Sequence, residues 1–165
     1  MLVTLILSII MMAALFLLLW GAVGFVQEKK FFTSAPKDIQ AAVKEHSERF
    51  PGQKVLGWRM IAVSMIMFVV SFVYAGYDGL KNNFTFWQFF FRYLIMLYLL
   101  KAFDIIVFDW YLLTKSHFFQ HYYPETEGCE GYHSFGFNRK EQLLRIAVYP
   151  FVSLLLAFIC TLFKH

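Results

Sequence analysis

The stretch from Met1 to Val26, MLVTLILSIIMMAALFLLLWGAVGFV, contains no charged side chain. At ~1.5 Å per residue, a helix of that length outruns a hydrocarbon core of ~30 Å even when tilted. It predicts a transmembrane helix. A cleaved secretory leader would need a basic start, a shorter apolar run and a small-residue cleavage site, and none of these is present. The segment is therefore expected to remain as a span.

Three more apolar stretches follow, so the spans fall at about 1–26, 58–77, 84–113 and 143–163, with long loops at 27–57 (loop one) and 114–142 (loop three). The whole chain agrees: of 165 residues, 59% are hydrophobic and only 16% charged, with a mean hydropathy of +0.56. A soluble chain of this size has no core large enough for that apolar excess. Two cysteines, nine glycines and four prolines also exclude disulfide-scaffold and collagen-like classes. The expected fold is an all-α integral membrane protein, a four-helix bundle forming one membrane domain over 1–165.

Basic residues set the expected orientation. Lys29, Lys30, Lys37, Lys44, Arg49, Lys54 and Arg59 flank or fill loop one, and Lys115, Arg139, Lys140 and Arg145 do the same for loop three. Only Lys81 and Lys164 fall elsewhere among the connections and termini. By the positive-inside rule both long loops are cytoplasmic and both termini outside, as expected for a plasma-membrane protein. The formal charge of +4 then reports cytoplasmic loops and not a nucleic-acid partner. The expected partners are the lipid bilayer and a second copy or another membrane subunit. The sequon at Asn83 lies too close to the membrane for a glycan.

Loop one reads as containing an amphipathic helix. Pro36 and Asp38 suit a first turn, Ile39, Val43, His46 and Phe50 form a stripe, and Pro51-Gly52 stops it. Lys44 with Glu48, and Glu45 with Arg49, are spaced as i,i+4 pairs.

Span three breaks the apolar pattern, with Arg92, Lys101, Asp104 and Asp109 inside FTFWQFFFRYLIMLYLLKAFDIIVFDWYLL. A charge at the bilayer centre costs ~2.5–3.5 kcal/mol on insertion scales, so such groups normally face protein or water. Arg92 is near one end and is expected to snorkel to the headgroups. On an α-helical wheel Lys101 and Asp104 project about 60° apart, with Asp109 about 80° to the other side of Lys101. They define a polar pocket, and Arg145 at the start of span four is expected to bridge to Asp109. Pro150 frees a backbone carbonyl one turn further on, which points to a wet pocket there, and Tyr98, Tyr111 and Tyr149 are placed to add hydroxyls to it.

Loop three is the second candidate site. His117 and His121 are spaced i,i+4 as two ligands of one metal would be, and with His133 they form a weak metal signal, its shell to be completed by nearby carboxylates and Cys129 folding back. H-x-x-x-H alone does not name a metal, and no pattern in the chain names a cofactor. Asp109, His117, His121 and Glu127 are the candidate acids, bases or catalytic groups at the inner interface.

Three readings of function follow from these residues. The first is a structural or accessory subunit held together by intramembrane charge pairs. The second is ion-coupled or small-solute transport through a polar path of Lys101, Asp104, Asp109 and Arg145. The third is a membrane-embedded enzyme acting on a lipid-like substrate. The transport reading requires a cavity reaching the span-three carboxylates, and the structural reading requires closed pairs.

Overall fold

The computed structural model describes residues 1–163; Lys164, one of the charges used above, lies outside them. The chain is all-helical, with no strand among the described residues. Its helices are α1 (Leu2–Trp20), α2 (Lys37–Ala42), α3 (Gln53–Lys81), α4 (Phe86–Phe103), α5 (Phe118–Tyr122) and α6 (Arg139–Leu162). Two of them continue in a wider coil, α1 through Gly21–Val26 and α4 through Asp104–Lys115.

Among the described residues, three helical stretches are long and apolar enough to cross a membrane: Leu2–Val26, Gln53–Lys81 and Arg139–Leu162, with mean hydropathies of 2.9, 2.0 and 2.2. Their exposed side chains are the kind lipid accepts, among them Ile6 and Ile9 on α1, Ile66, Val69 and Val73 on α3, and Phe151, Leu155 and Phe158 on α6. Hydroxyls on the apolar helices are satisfied locally: Ser8 donates to the Thr4 carbonyl at 2.9 Å, Ser64 to Met60 at 2.8 Å and Ser71 to Met67 at 2.7 Å. The segment expected as span three is helical too, but Arg92, Lys101, Asp104 and Asp109 lower its apolar character.

The chain forms two compact units. The first comprises Met1–Ala14, Ile66–Ala102 and the residues from Arg139 on. Its core gathers Leu7 and Met11 of α1, Ala75 of α3, Phe89, Tyr93 and Met96 of α4, and Ala157 and Cys160 of α6. The turn from α3 to α4 is made by Asn83 at φ +53°, a conformation that Asn tolerates better than most residues, and the Phe84 N–H donates back to the Gly79 carbonyl at 2.9 Å. Within α6, Pro150 leaves the Ile146 carbonyl without its helical donor, and the Tyr98 hydroxyl lies 3.5 Å from that oxygen.

Arg92 does not snorkel. It is 5% exposed; its Nη1 lies 2.8 Å from Asp78 Oδ2 and donates to the Ala75 carbonyl at 2.7 Å, and its guanidinium carbon sits 4.2 Å from the Phe84 ring centroid. The reason is local: the turn brings the end of α3 over the start of α4, so the half-buried Asp78 carboxylate is a nearer partner than the headgroups.

The second unit comprises Leu15–Met65 and Phe103–Asn138. Here both long loops fold together around Val23, Phe32, Ile39, Val43, Leu113, Tyr123 and Tyr132. Gly57 allows the close approach of α3 to the α1 continuation, because a Cβ there would meet Phe25 Cβ at 2.8 Å and the Gly21 carbonyl at 2.9 Å.

The amphipathic helix of loop one is much shorter than expected. It ends at Ala42, and the Lys44 N–H donates to Glu125 of the other loop at 2.9 Å. Glu48 leaves its expected partner Lys44 and accepts the Lys54 N–H at 3.0 Å, capping the start of α3. Tertiary acceptors have taken the donors on which a longer helix depended.

Candidate functional site

The site is built by the change of coil at Asp104. From there to Lys115 the backbone bonds span five residues, as in the closing bond from the Ser116 N–H to the Tyr111 carbonyl at 2.9 Å. An α-helix separates residues five apart by about 140° around its axis. A coil with i→i+5 bonds is wider and turns less per residue, so it brings them closer to one side of its axis, and stretches of such coil are frequent at functional sites. Asp104 and Asp109 are five apart, and both line one cavity of about 110 Å³ in the second unit. The wall around them is largely apolar, with Phe32, Phe108, Leu113 and Phe119 among its residues. Ser34 and Phe137 also line it and are exposed, which places the opening beside them. Asp109 accepts the side-chain N–H of Asn138 at 3.3 Å.

Lys101 and Arg145, also expected at the pocket, are not among the residues that line this cavity. Lys101 is buried in the first unit, at 4% exposure. Arg145, also of the first unit, faces Glu141 at 4.0 Å with half its side chain exposed. The α-helical wheel that groups Lys101, Asp104 and Asp109 does not apply beyond Phe103.

Nor does the continuation of α4 carry His117 and His121 on one face. Ser116 is extended, with φ −100° and ψ 161°, and its hydroxyl donates to the Leu112 carbonyl at 2.8 Å and accepts the Phe118 N–H at 3.2 Å. The chain then restarts as the five-residue α5. His117, His121, Glu127 and His133 are all exposed, and none lines the cavity. Among the described residues, no three His, Cys, Asp or Glu side chains gather as a metal site requires.

The polar centre that spacing alone did not reveal is Glu125. His46 Nε2 lies 3.1 and 3.2 Å from its two oxygens, and the His46 ring packs 5.1 Å from Tyr123. The pair is 79 residues apart in sequence, so no local motif announces it. Burial pushes the Glu125 carboxyl up, but the Lys44 N–H, its own backbone N–H and His46 together outweigh that and hold it below its ordinary value. Burial, with Glu125 and Glu28 adding to it, pushes the Tyr123 hydroxyl up.

A carboxyl whose folded pKa is depressed contributes stability that is present above its unfolded pKa and lost as pH falls through the folded one. The packing of the two loops is therefore expected to weaken below about pH 4.3, the usual Glu value. Glu125→Gln should cost about 1 kcal/mol near neutrality and flatten that acid dependence. Limited proteolysis of the loops between pH 7 and 3 measures it, and an unchanged acid profile in the variant would count against this role.

No family model matches the chain, and no curated protein and no solved structure is similar to it.

Proposed function

We propose that the chain crosses the plasma membrane four times, with both termini outside, and binds a small solute in the carboxylate-lined cavity at the cytoplasmic end. The observation that carries this reading is the placement of Asp104 and Asp109 together on the wall of an otherwise largely apolar cavity. Ionisable side chains of a membrane-type helix that face a cavity are characteristic of ligand and ion pathways. Three helices have the length and hydropathy of spans. The fourth crossing is α4 with its continuation, which run unbroken from Phe86 to Lys115. The basic residues of both loops support a cytoplasmic placement of the second unit.

The structural-subunit reading accounts for the closed Arg92–Asp78 pair and leaves the cavity without a purpose. The enzyme reading needs His117, His121 or Glu127 beside Asp109, and these side chains are exposed away from the cavity lining.

The test uses the full chain with Cys129→Ser and Cys160→Ser, reconstituted in closed vesicles of known orientation. Asp109→Cys is expected to react with a small cationic methanethiosulfonate applied from the loop side and not from the side of the termini. Reaction only from the termini's side, or none in the folded protein, would overturn the reading.

A further inference from the structure

Resting on that reading, the chemistry of the cavity narrows what it takes. Five phenylalanines line it, Phe31, Phe32, Phe108, Phe119 and Phe137, together with the two carboxylates and Ser34. Two of the rings are held firmly by other rings: Phe32 lies 4.7 Å from Tyr123 and 6.2 Å from Phe119, and Phe108 lies 5.7 Å from Phe103 and 6.4 Å from Phe16. Phe31 already attracts a cation of the chain itself, with Lys30 Nζ 5.5 Å from its centroid.

We propose that the cavity binds an alkylated ammonium group, with the aromatic wall taking its methyl groups and Asp104 and Asp109 supplying the negative field. The carboxylates disfavour an anion. A hard metal cation wants six or more oxygen ligands, and the wall is mostly aromatic and aliphatic carbon. A primary ammonium brings three N–H donors that an aromatic wall serves poorly. An alkylated ammonium keeps the charge, has few or no donors to satisfy, and is the cation that aromatic cages recognise. The size also agrees: a water needs about 10–15 Å³ of such space, so a cavity of about 110 Å³ has room for a group of a few heavy atoms. Free choline-like solutes and choline lipid headgroups share this chemistry.

Calorimetric titration of the purified full chain, in a detergent without a choline group, tests the proposal with choline chloride and its neutral isostere 3,3-dimethylbutan-1-ol. Choline is expected to bind at least about tenfold more tightly than the isostere. Phe108→Leu should weaken choline binding about 2- to 30-fold, and Phe119→Leu serves if that variant does not fold. Equal binding of choline and the isostere, or no choline binding, would overturn the ligand class. If the Asp109→Cys thiol still reacts from the loop side, the site itself stands; if it does not, the site falls with its ligand. Protection of a Ser34→Cys thiol at the opening, with both carboxylates kept, by added choline in phosphatidylglycerol vesicles assigns a free solute. Protection in phosphatidylcholine vesicles without added choline assigns a lipid headgroup, and protection in neither contradicts the proposal.

Discussion

Arg92→Met is expected to destabilise the protein by about 3–5 kcal/mol, the usual cost of breaking a buried ion pair by removing one partner. The Arg92 side chain is 3% exposed and that of Asp78 16%, so the remaining carboxylate would be left largely shielded from water. The Ala75 carbonyl would lose its 2.7 Å donor and the Phe84 ring its cation as well. Asp78→Asn combined with Arg92→Met should cost clearly less than the sum of the two single changes, because the isolated charge is then gone. Unfolding titrations in mixed micelles measure all three variants. Additive losses, or a single variant within about 0.5 kcal/mol of wild type, would show that the pair is not what holds α3 and α4 together.

Gln53→Leu is the second large effect, expected to cost about 3 kcal/mol from several orphaned groups at about 1–3 kcal/mol each. Gln53 is 1% exposed and uses both ends of its amide. Its Nε2 donates to the Phe25 carbonyl at 2.9 Å and to Gln27 Oε1 at 3.0 Å, while its Oε1 accepts the Arg49 N–H at 2.9 Å. Arg49 in turn donates to the Gly24 carbonyl at 2.7 Å. The wide coil that ends α1 thus has its last carbonyls satisfied by side chains from the first residues of α3 and the segment before it. Leucine has nearly the same volume and no polar end, so the loss would be of hydrogen bonds and not of packing. Amide hydrogen exchange over 21–27 should rise with the loss of stability; unchanged protection there would contradict the assigned role.

What is legible in the sequence follows from how each signal is encoded. Long apolar runs such as 1–26 survive any detail of packing, so composition and run length are enough to read the helical, membrane-type character. The freed carbonyl at Ile146 is readable too, because proline removes a donor wherever it stands, but only the structure places the Tyr98 hydroxyl beside it. The pairing of Arg92 is not readable, because its partner comes from another helix through the turn at Asn83. Loop one hides its shape for the same kind of reason: the acceptor that ends α2 early belongs to Glu125, far along the chain. A wheel through span three assumes 3.6 residues per turn, and nothing in DIIVFDWYLLTK announces that the coil widens there. Asp104 and Asp109 stand out as candidates because they are expensive in a membrane, which is a property of the residues alone. Their shared cavity is a property of the coil.

That shared wall is the centre of the account, and a short cross-link tests it most directly. In the full chain with Cys129→Ser and Cys160→Ser, Asp104→Cys and Asp109→Cys are introduced together and treated with a one-carbon bis-methanethiosulfonate, and the product is weighed by mass spectrometry. One bridging reagent per chain is expected, because i→i+5 bonding brings the two positions toward one side of the coil. Two separate adducts on the folded protein, as an α-helix with these positions about 140° apart would give, would contradict it.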